Sequence, residues 1–323
     1  MTLSVSRREP PPHSRWGLAF TDAVYRRVLQ GSGLVFSAIL AAIVVSIALQ
    51  SRDAFGHFGI GLVTGTTWDP VNVVYGALPF ILGTLVTSGI ALLFALPIGL
   101  ATAIVLSEFA PPWIARPLGT IVELLAAVPS VVFGLWGLLV VSQWYRTVVQ
   151  TDIQRVTGKH FPLFSGVPTG AGALFTGLIL AAMILPTLTA VSRDVMAAVP
   201  AGQREAALAL GATRWQVVRK AVIPAARSGI LGATVLALGR ALGETIAVTM
   251  IIGGGTGLPT SLFAPISTMA SIIASEFSEA TEPFHASAIA AVALILLTVG
   301  ILVNVVARLL VRTVDRRAGL LAT

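Results

Sequence analysis

The stretch FILGTLVTSGIALLFALPIGLATAIVL, residues 80–106, decides the fold class. It runs for 27 residues without a charged side chain, and about 20 apolar residues suffice for one helical crossing of a bilayer. Over the whole chain of 323 residues, 55% are hydrophobic and only 11% are charged. A soluble domain of this length needs far more charge to cover its surface. The sequence therefore predicts an integral membrane protein.

Six apolar stretches predict six membrane-spanning helices. The predicted spans are residues 34–50, 80–106, 118–141, 173–192, 230–252 and 286–307. Pro129 and Pro186 fall inside two of them, where neighbouring helices can satisfy the carbonyl that a proline frees. Between the last two spans, residues 253–259 (GGGTGLP) predict a turn and residues 266–277 a short helix at the outer surface. The predicted fold class is all-α, a polytopic membrane bundle of six helices with a cytoplasmic loop that carries a coupling helix.

The basic residues predict the orientation of the spans. Of the 21 Lys and Arg residues, sixteen fall in segments on the N-terminal side of the membrane, four on the other side, and Arg240 inside a span. Because basic residues concentrate on the cytoplasmic side, both termini are predicted to be cytoplasmic. The net charge of +7 is explained in the same way, without nucleic acid. The predicted divisions are a tail over 1–30, the first span and outer loop over 31–74, a permease domain over 75–311 and a tail over 312–323.

Several classes of catalyst are excluded by the residues present. The chain has no cysteine, which removes thiol catalysis and Cys-ligated metals. A P-loop needs Gly-Lys-Ser/Thr, but Lys159 is followed by His160 and Lys220 by Ala221. No triad or metal-ligand spacing occurs either. The sequence predicts a chain that is not an enzyme, has no catalytic or metal site and binds no cofactor.

The fourth connection, residues 204–229, reads REAALALGATRWQVVRKAVIPAARSG. It predicts two short helices, the first stopped by Gly211 and the second ended by Pro224. Ala206 and Ala207 are small enough for close approach by a partner, which favours docking into a cleft on a cytoplasmic subunit. The alternative is an amphipathic loop on the lipid headgroups, anchored by Trp215. The residue types alone are compatible with docking on a subunit and with binding to the headgroups.

This loop resembles the EAA loop of ABC-importer permeases, in which Glu-Ala-Ala is followed by a glycine and, further on, a proline. The matching residues are Glu205, Ala206, Ala207, Gly211 and Pro224. Ala221 and Ile223 stand where the family usually has Ile and Leu. The resemblance implies a type-1 importer permease in which Glu205, Ala206, Ala207 and Gly211 couple the chain to a separate ATPase subunit, which binds ATP and Mg.

Three more segments narrow the family. Residues 123–137, 240–248 and 261–277 resemble phosphate-specific importer permeases, and LGET within the second is closer to the PstC-type than to the PstA-type subunit. The resemblance covers about residues 75–311. It implies a phosphate permease that works by alternating access in the bacterial plasma membrane. Its implied partners are a PstA-type permease in a heterodimer, a PstB-type ATPase dimer at the cytoplasmic face and a PstS-type phosphate-binding protein at the outer face.

Two charges, Arg240 and Glu244, lie inside the fifth predicted span. Their spacing of four residues places them on one helix face, where they are predicted to form an ion pair. Because an isolated charge at mid-bilayer costs at least about 2.5–3.5 kcal/mol, the pair is expected to face the bundle interior. The pair either fixes helix registry, with a third partner such as Glu123, or lines a substrate path. Glu123 itself is expected to pair with Arg116.

If phosphate is the substrate, as the resemblance implies, the substrate-path interpretation is favoured, because the planar guanidinium of Arg240 can bind an oxyanion through two N–H groups. Glu244 would temper the attraction of Arg240, and would accept a hydrogen bond from protonated phosphate that sulfate cannot donate. The alternatives are a permease for another oxyanion such as sulfate or molybdate and, in a different class, a proton-coupled secondary carrier that uses the two charges as a relay. A membrane scaffold would leave the buried charges unexplained.

Overall fold

The computed structural model of the protein describes residues 13–157, 161–258 and 260–319. The chain divides after Leu49 into two compact units. The first lies within α1 (His13–Gln50), of which Val24–Gln50 is long and apolar enough to cross a membrane. Since the helix is already formed at His13, the expected tail boundary at residue 30 and the expected span start at residue 34 both fall inside it. Residues 1–12 of the expected tail lie outside the described residues.

The second unit begins at Gln50 and contains every other element. Its helices are α2 (Arg52–Phe58), α3 (Gly61–Thr64), α4 (Leu78–Ile104), α5 (Pro112–Ala126), α6 (Ser130–Trp136), α7 (Ser142–Trp144), α8 (Thr151–Thr157), α9 (Ala173–Ala197), α10 (Ala201–Ala209), α11 (Arg214–Val217), α12 (Ile223–Leu242), α13 (Ile246–Ile251), α14 (Met269–Glu276) and α15 (Pro283–Gly319). A hairpin of β1 (Trp68–Asp69) and β2 (Val74–Tyr75) joins them. Six helical stretches of the described residues suffice to cross a membrane, which confirms the predicted all-α bundle.

Helix α9 is the most buried span of the second unit and packs along α4 and α12. Leu180, Ile184 and Leu188 project from one face of α9 because they are spaced by four residues. They meet small residues at the same spacing on the neighbours, such as Ala91 and Ala95 of α4. Small residues let membrane helices approach closely. The predicted second, fourth and sixth spans are confirmed by α4, α9 and α15.

The third predicted span, residues 118–141, is wrong. Helix α5 ends at Ala126, and Pro129 has extended backbone angles before α6 begins. The residue before a proline is disfavoured in helical geometry, so the chain turns here instead of continuing. The crossing helix is Ser130–Thr157, built from α6, α7 and α8 joined by two π-helical turns.

The fifth predicted span is also corrected. The crossing helix starts at Arg214 and ends at Leu242, and Gly243–Thr245 separate it from α13. Pro224, which was expected to end a helix, lies at the start of α12 directly after a π-helical turn, Val218–Val222. Since a π turn has already displaced the regular hydrogen bonds, the missing N–H of the proline is tolerated there.

The hairpin end of the bundle, at the start of α4, is closed by a small polar cluster. Trp68 Nε1 donates to Glu276 Oε2 at 2.8 Å, and His285 Nε2 lies 2.8 Å from the same oxygen. The cluster joins the hairpin to the end of α14 and the start of α15. The predicted short helix α14 is confirmed. Its first half (269–272) is buried against the bundle, whereas Ala274, Ser275 and Phe277 at its other end are exposed.

Candidate functional site

Arg240 and Glu244 lie on either side of a helix break. Arg240 is in the last turn of α12, which ends at Leu242, whereas Glu244 precedes α13. Because Gly243 and Thr245 leave the α-helical hydrogen-bond pattern, a spacing of four no longer places the two side chains on one helix face. Within the described residues, no ion pair joins them. The predicted pairing is therefore wrong.

The half-helix after the break, α13, packs closely against α6. The α-carbon of Ala247 in α13 lies 2.9 Å from where a β-carbon on Gly134 of α6 would stand, and Met250 Sδ lies 2.8 Å from the same point. Helix α13 buries Ala247, Val248 and Ile251 in this contact region. The absent side chain of Gly134 therefore lets α13 approach α6 closely.

Arg240 is half-buried and bonds to α9. Its Nη1 donates to Thr187 Oγ1 at 3.1 Å, one residue after Pro186 in the middle of α9. In the described part of the chain, Thr187 is the one hydrogen-bond partner of the guanidinium, which leaves N–H groups for an anion. The carboxyl end of α12 also favours a positive charge, since its last carbonyls carry a partial negative charge.

Glu244 is half-buried and bonds to the start of α13. Its Oε1 accepts from the backbone N–H of Ala247 at 3.2 Å. The amino end of a helix favours a negative charge, by about 0.3–1 kcal/mol in exposed positions and up to about 2 kcal/mol in partly buried ones. Each of the two charges is thus stabilised by the end of a half-helix and not by the other charge.

Glu123 is engaged elsewhere than expected. Its Oε1 lies 2.7 Å from Arg193 Nη2, at the end of α9, and Arg193 also bonds to Asp194. A β-carbon on Gly119 would come within 2.2 Å of Arg193 Nη1, so a glycine there makes room for the guanidinium. The expected pairing with Arg116 is wrong, and Glu123 is not the third partner of Arg240 that the registry alternative named.

Helix α10 carries the predicted coupling residues at the far end of α9. Glu205 and Ala206 are exposed, whereas Ala207 is half-buried against an apolar cluster that includes Met196. Gly211 has φ +84°, a left-handed conformation that ends a helix and that glycine adopts without strain. The first of the two predicted loop helices and its stop are confirmed.

The two predicted sites are separated along α9. Thr187, the partner of Arg240, precedes the end of α9 at Ala197 by ten residues, which corresponds to about 15 Å of helix. The α10 residues follow that end. A signal from one site to the other must therefore pass through the bundle.

The sequence did not point to two further residues, Arg204 within α10 and Glu108 near it. Arg204 precedes the EAA residues, and Glu108 lies in a π-helical turn, Val105–Phe109, that continues α4. Their side chains form a bidentate ion pair, with Nη2–Oε1 2.8 Å and Nε–Oε2 3.2 Å. The one feature of the sequence that could have pointed to this pair is the carboxylate of Glu108, which follows the long apolar stretch 80–106.

Comparisons with known proteins agree with these features. Residues 95–317 match the family described as "Binding-protein-dependent transport system inner membrane component". A protein described as "Phosphate transport system permease protein PstC" from Mesorhizobium japonicum (strain LMG 29417 / CECT 9101 / MAFF 303099) is 41% identical over 305 residues, 93% of each chain. One with the same description from Pasteurella multocida (strain Pm70) is 41% identical over 301 residues, 92% of this chain and 94% of the other.

Solved structures of transporters share the fold. A chain of a bacterial alginate ABC transporter, in complex with an alginate pentasaccharide-bound periplasmic protein, superposes with a TM-score of 0.62 at 17% identity, covering 90% of this chain and 95% of the other. A chain of the inward-facing MetNI methionine ABC transporter superposes with a TM-score of 0.58 at 19% identity, covering 77% and 99%. At these identities the likeness concerns the fold alone.

Proposed function

Because this chain belongs to the family of binding-protein-dependent transport system inner membrane components, we propose that it is the permease subunit of an ATP-driven importer of inorganic phosphate. The observation that carries the proposal is the 41% identity to a phosphate transport permease over 93% of both chains. An alignment of 305 residues is long enough to include the spans, the α10 loop and the segment around Arg240.

The division of labour follows from the residues that this chain has. It has no P-loop lysine, so ATP and Mg are bound by a separate PstB-type ATPase dimer. That dimer docks on the exposed side of α10, at Glu205 and Ala206. A PstA-type permease forms the other half of the path, and a PstS-type protein delivers phosphate at the hairpin end. The excess of basic residues on the α10 side supports a cytoplasmic position for α10 and both termini.

Phosphate crosses near the break between α12 and α13. The guanidinium of Arg240 attracts the anion, and Thr187 holds it in orientation. Glu244 keeps the local charge near neutral, so the anion is attracted without being trapped. ATP binding closes the ATPase dimer, α10 moves with it, and the bundle exposes this region alternately to the two sides of the membrane.

The test is uptake of labelled phosphate by bacterial cells that lack their own phosphate permease. The wild-type chain, produced with its ATPase, partner permease and binding protein, should restore uptake that excess sulfate does not reduce. Glu205→Arg should abolish uptake at equal abundance in the membrane. Strong competition by sulfate would instead indicate a broader oxyanion importer, and uptake that ignores Glu205→Arg would indicate a secondary carrier.

A further inference from the structure

The Arg204 guanidinium joins three parts of the chain at one point. It forms the bidentate pair with Glu108 on the extension of α4. Its Nη2 also donates to the carbonyl of Met196 at 2.8 Å, and its Nη1 donates to the carbonyl of Val199. Arg204 therefore binds the last turn of α9, the link that leads to α10, and the end of α4.

This ion pair differs from the others in how far its carboxylate is enclosed. The Glu108 side chain is 9% exposed and that of Arg204 is 23% exposed. Among the Arg–carboxylate pairs of the described residues, the other acidic partners are at least 56% exposed. Breaking a partly buried pair leaves an uncompensated charge, which is far more costly than breaking a surface pair.

Besides the Arg204 contacts, helix α10 packs mainly against the start of the crossing helix 214–242. None of its residues, all of which the structure describes, is fully buried. Ala207 is its one member that packs against the apolar cluster at this end. An alanine contact does not prevent a short helix from tilting, whereas a planar guanidinium with two bonds to one carboxylate does. The orientation of α10 relative to α4 thus depends on Arg204.

We propose that the Arg204–Glu108 pair makes α10 and α4 move as one body, so that a displacement of α10 is delivered to the membrane-spanning part of α4. The inference rests on the proposed function, since that function supplies the displacement. Helix α4 packs along α9 over most of its length, and α9 carries Thr187. Arg204 and Glu108 are positioning residues, because neither one contacts the substrate.

The first test compares Glu108→Gln with the wild type in the complete, reconstituted transporter. The glutamine keeps the size and loses the charge. The expected result is an assembled complex that hydrolyses ATP within about twofold of the wild-type rate, while phosphate imported per ATP falls about tenfold. Arg204→Lys should have the same effect, since a single ammonium cannot form the bidentate pair. Asp152→Asn, which removes the exposed pair with Arg155, is the matched control and should change nothing.

The second test measures a distance. The chain has no cysteine, so spin labels can be placed on Gly202→Cys in α10, where a β-carbon meets nothing within 4 Å, and on Leu93→Cys in α4, which is 70% exposed. In the otherwise unaltered chain the distance should stay the same with and without ATP. With Glu108→Gln it should change, because α10 then moves without α4.

The outcomes separate this inference from the proposed function. A label distance that changes with ATP in the unaltered chain would overturn the inference, and so would a Glu108→Gln complex with unchanged import per ATP. A loss of assembly in parallel with the loss of uptake would show a merely structural pair and would also overturn it. If the wild-type complex hydrolyses ATP but imports no phosphate, the proposed function fails while the distance measurement still decides on the link.

Discussion

Arg240 of α12 and Thr187 of α9 are joined by a hydrogen bond of 3.1 Å across the middle of the bundle. This bond fixes a guanidinium in the last turn of α12, before the break that contains Glu244. Hydrogen bonds to charged groups contribute about 1.5–3 kcal/mol. The contact is therefore strong enough to determine where the charge lies.

Replacing Thr187 tests whether the position of this charge matters. Thr187→Val keeps the shape and removes the acceptor, so Arg240 loses its fixed place and phosphate uptake should fall on the order of tenfold. Thr187→Ser keeps the hydroxyl and serves as the control, with uptake close to wild type. Initial rates of labelled-phosphate uptake, normalised to the amount of chain in the membrane, measure the effect. Equal rates for the valine and serine variants would contradict the role given to this bond.

The separation of Arg240 from Glu244 predicts additive effects on stability. In Arg240→Gln, Glu244→Gln and the double variant, thermal unfolding of the purified chain should give changes in the free energy of unfolding that add within about 0.5 kcal/mol. Each charge interacts with its own helix end, so removing one leaves the other's surroundings intact. A coupling energy well above that value would mean that the two side chains pair after all.

Discrimination against sulfate is the sharpest hypothesis about Glu244. One of its oxygens accepts from the Ala247 N–H, and a carboxylate has capacity for further donors, including the hydroxyl of protonated phosphate. In Glu244→Gln, sulfate should compete with phosphate uptake more strongly than in the wild type. If phosphate uptake and sulfate exclusion both stay unchanged, Glu244 has no part in selectivity.

Replacing Gly119 tests how much stability is lost when the Arg193–Glu123 pair is crowded. Gly119→Ala places a methyl group against Arg193 Nη1, which forces the flexible guanidinium away from the half-exposed Glu123 and should lower stability by up to about 1 kcal/mol. Gly232→Ala in α12 is the matched control, because a β-carbon there meets nothing within 4 Å, and it should stabilise by about 0.4–1 kcal/mol. Thermal unfolding of the two variants in the same detergent compares them, and the interpretation fails if Gly119→Ala is neutral or stabilising.

The turn between β1 and β2 predicts a dependence on pH. The side-chain and backbone N–H groups of Asn72 hold the pKa of Asp69 below its usual 3.8; desolvation opposes them, and the Val71 N–H makes the weakest contribution in their favour. Because this pKa is lowered on folding, the stabilisation is complete above about pH 4 and is lost as the pH falls through the lowered value. Exchange protection of the Val71 and Asn72 amides, corrected for intrinsic rates, should follow this course. In Asn72→Ala the loss should be smaller and should be complete at a higher pH, because the folded-state pKa is then closer to the usual value. A wild-type loss near pH 6 would contradict the assignment.

Hydropathy predicted most of the fold because each span must cover its backbone with apolar side chains. It failed at residues 118–141, where α5 is apolar enough to be read as part of a span but ends at Ala126. It failed again at Gly243, where α12 has ended although the apolar pattern continues. The close contact of α13 with Gly134, more than a hundred residues earlier, is not visible in the local sequence.

The candidate site was predictable only in part. The coupling residues could be found because their motif is local in sequence. The pairs Arg240–Thr187 and Arg204–Glu108 could not, since their members are 53 and 96 residues apart and neither threonine nor an isolated glutamate marks a partner. Polar contacts between residues so far apart in sequence can be identified only once the fold is known.

The most direct measurement is ATP-driven accumulation of labelled phosphate in vesicles that contain the purified complex and the binding protein. An ATP-driven phosphate permease should give accumulation that requires ATP and that is unaffected when the proton gradient is dissipated. Accumulation should be lost with Glu205→Arg and when the ATPase is omitted. Accumulation driven by a proton gradient without the ATPase would contradict this prediction.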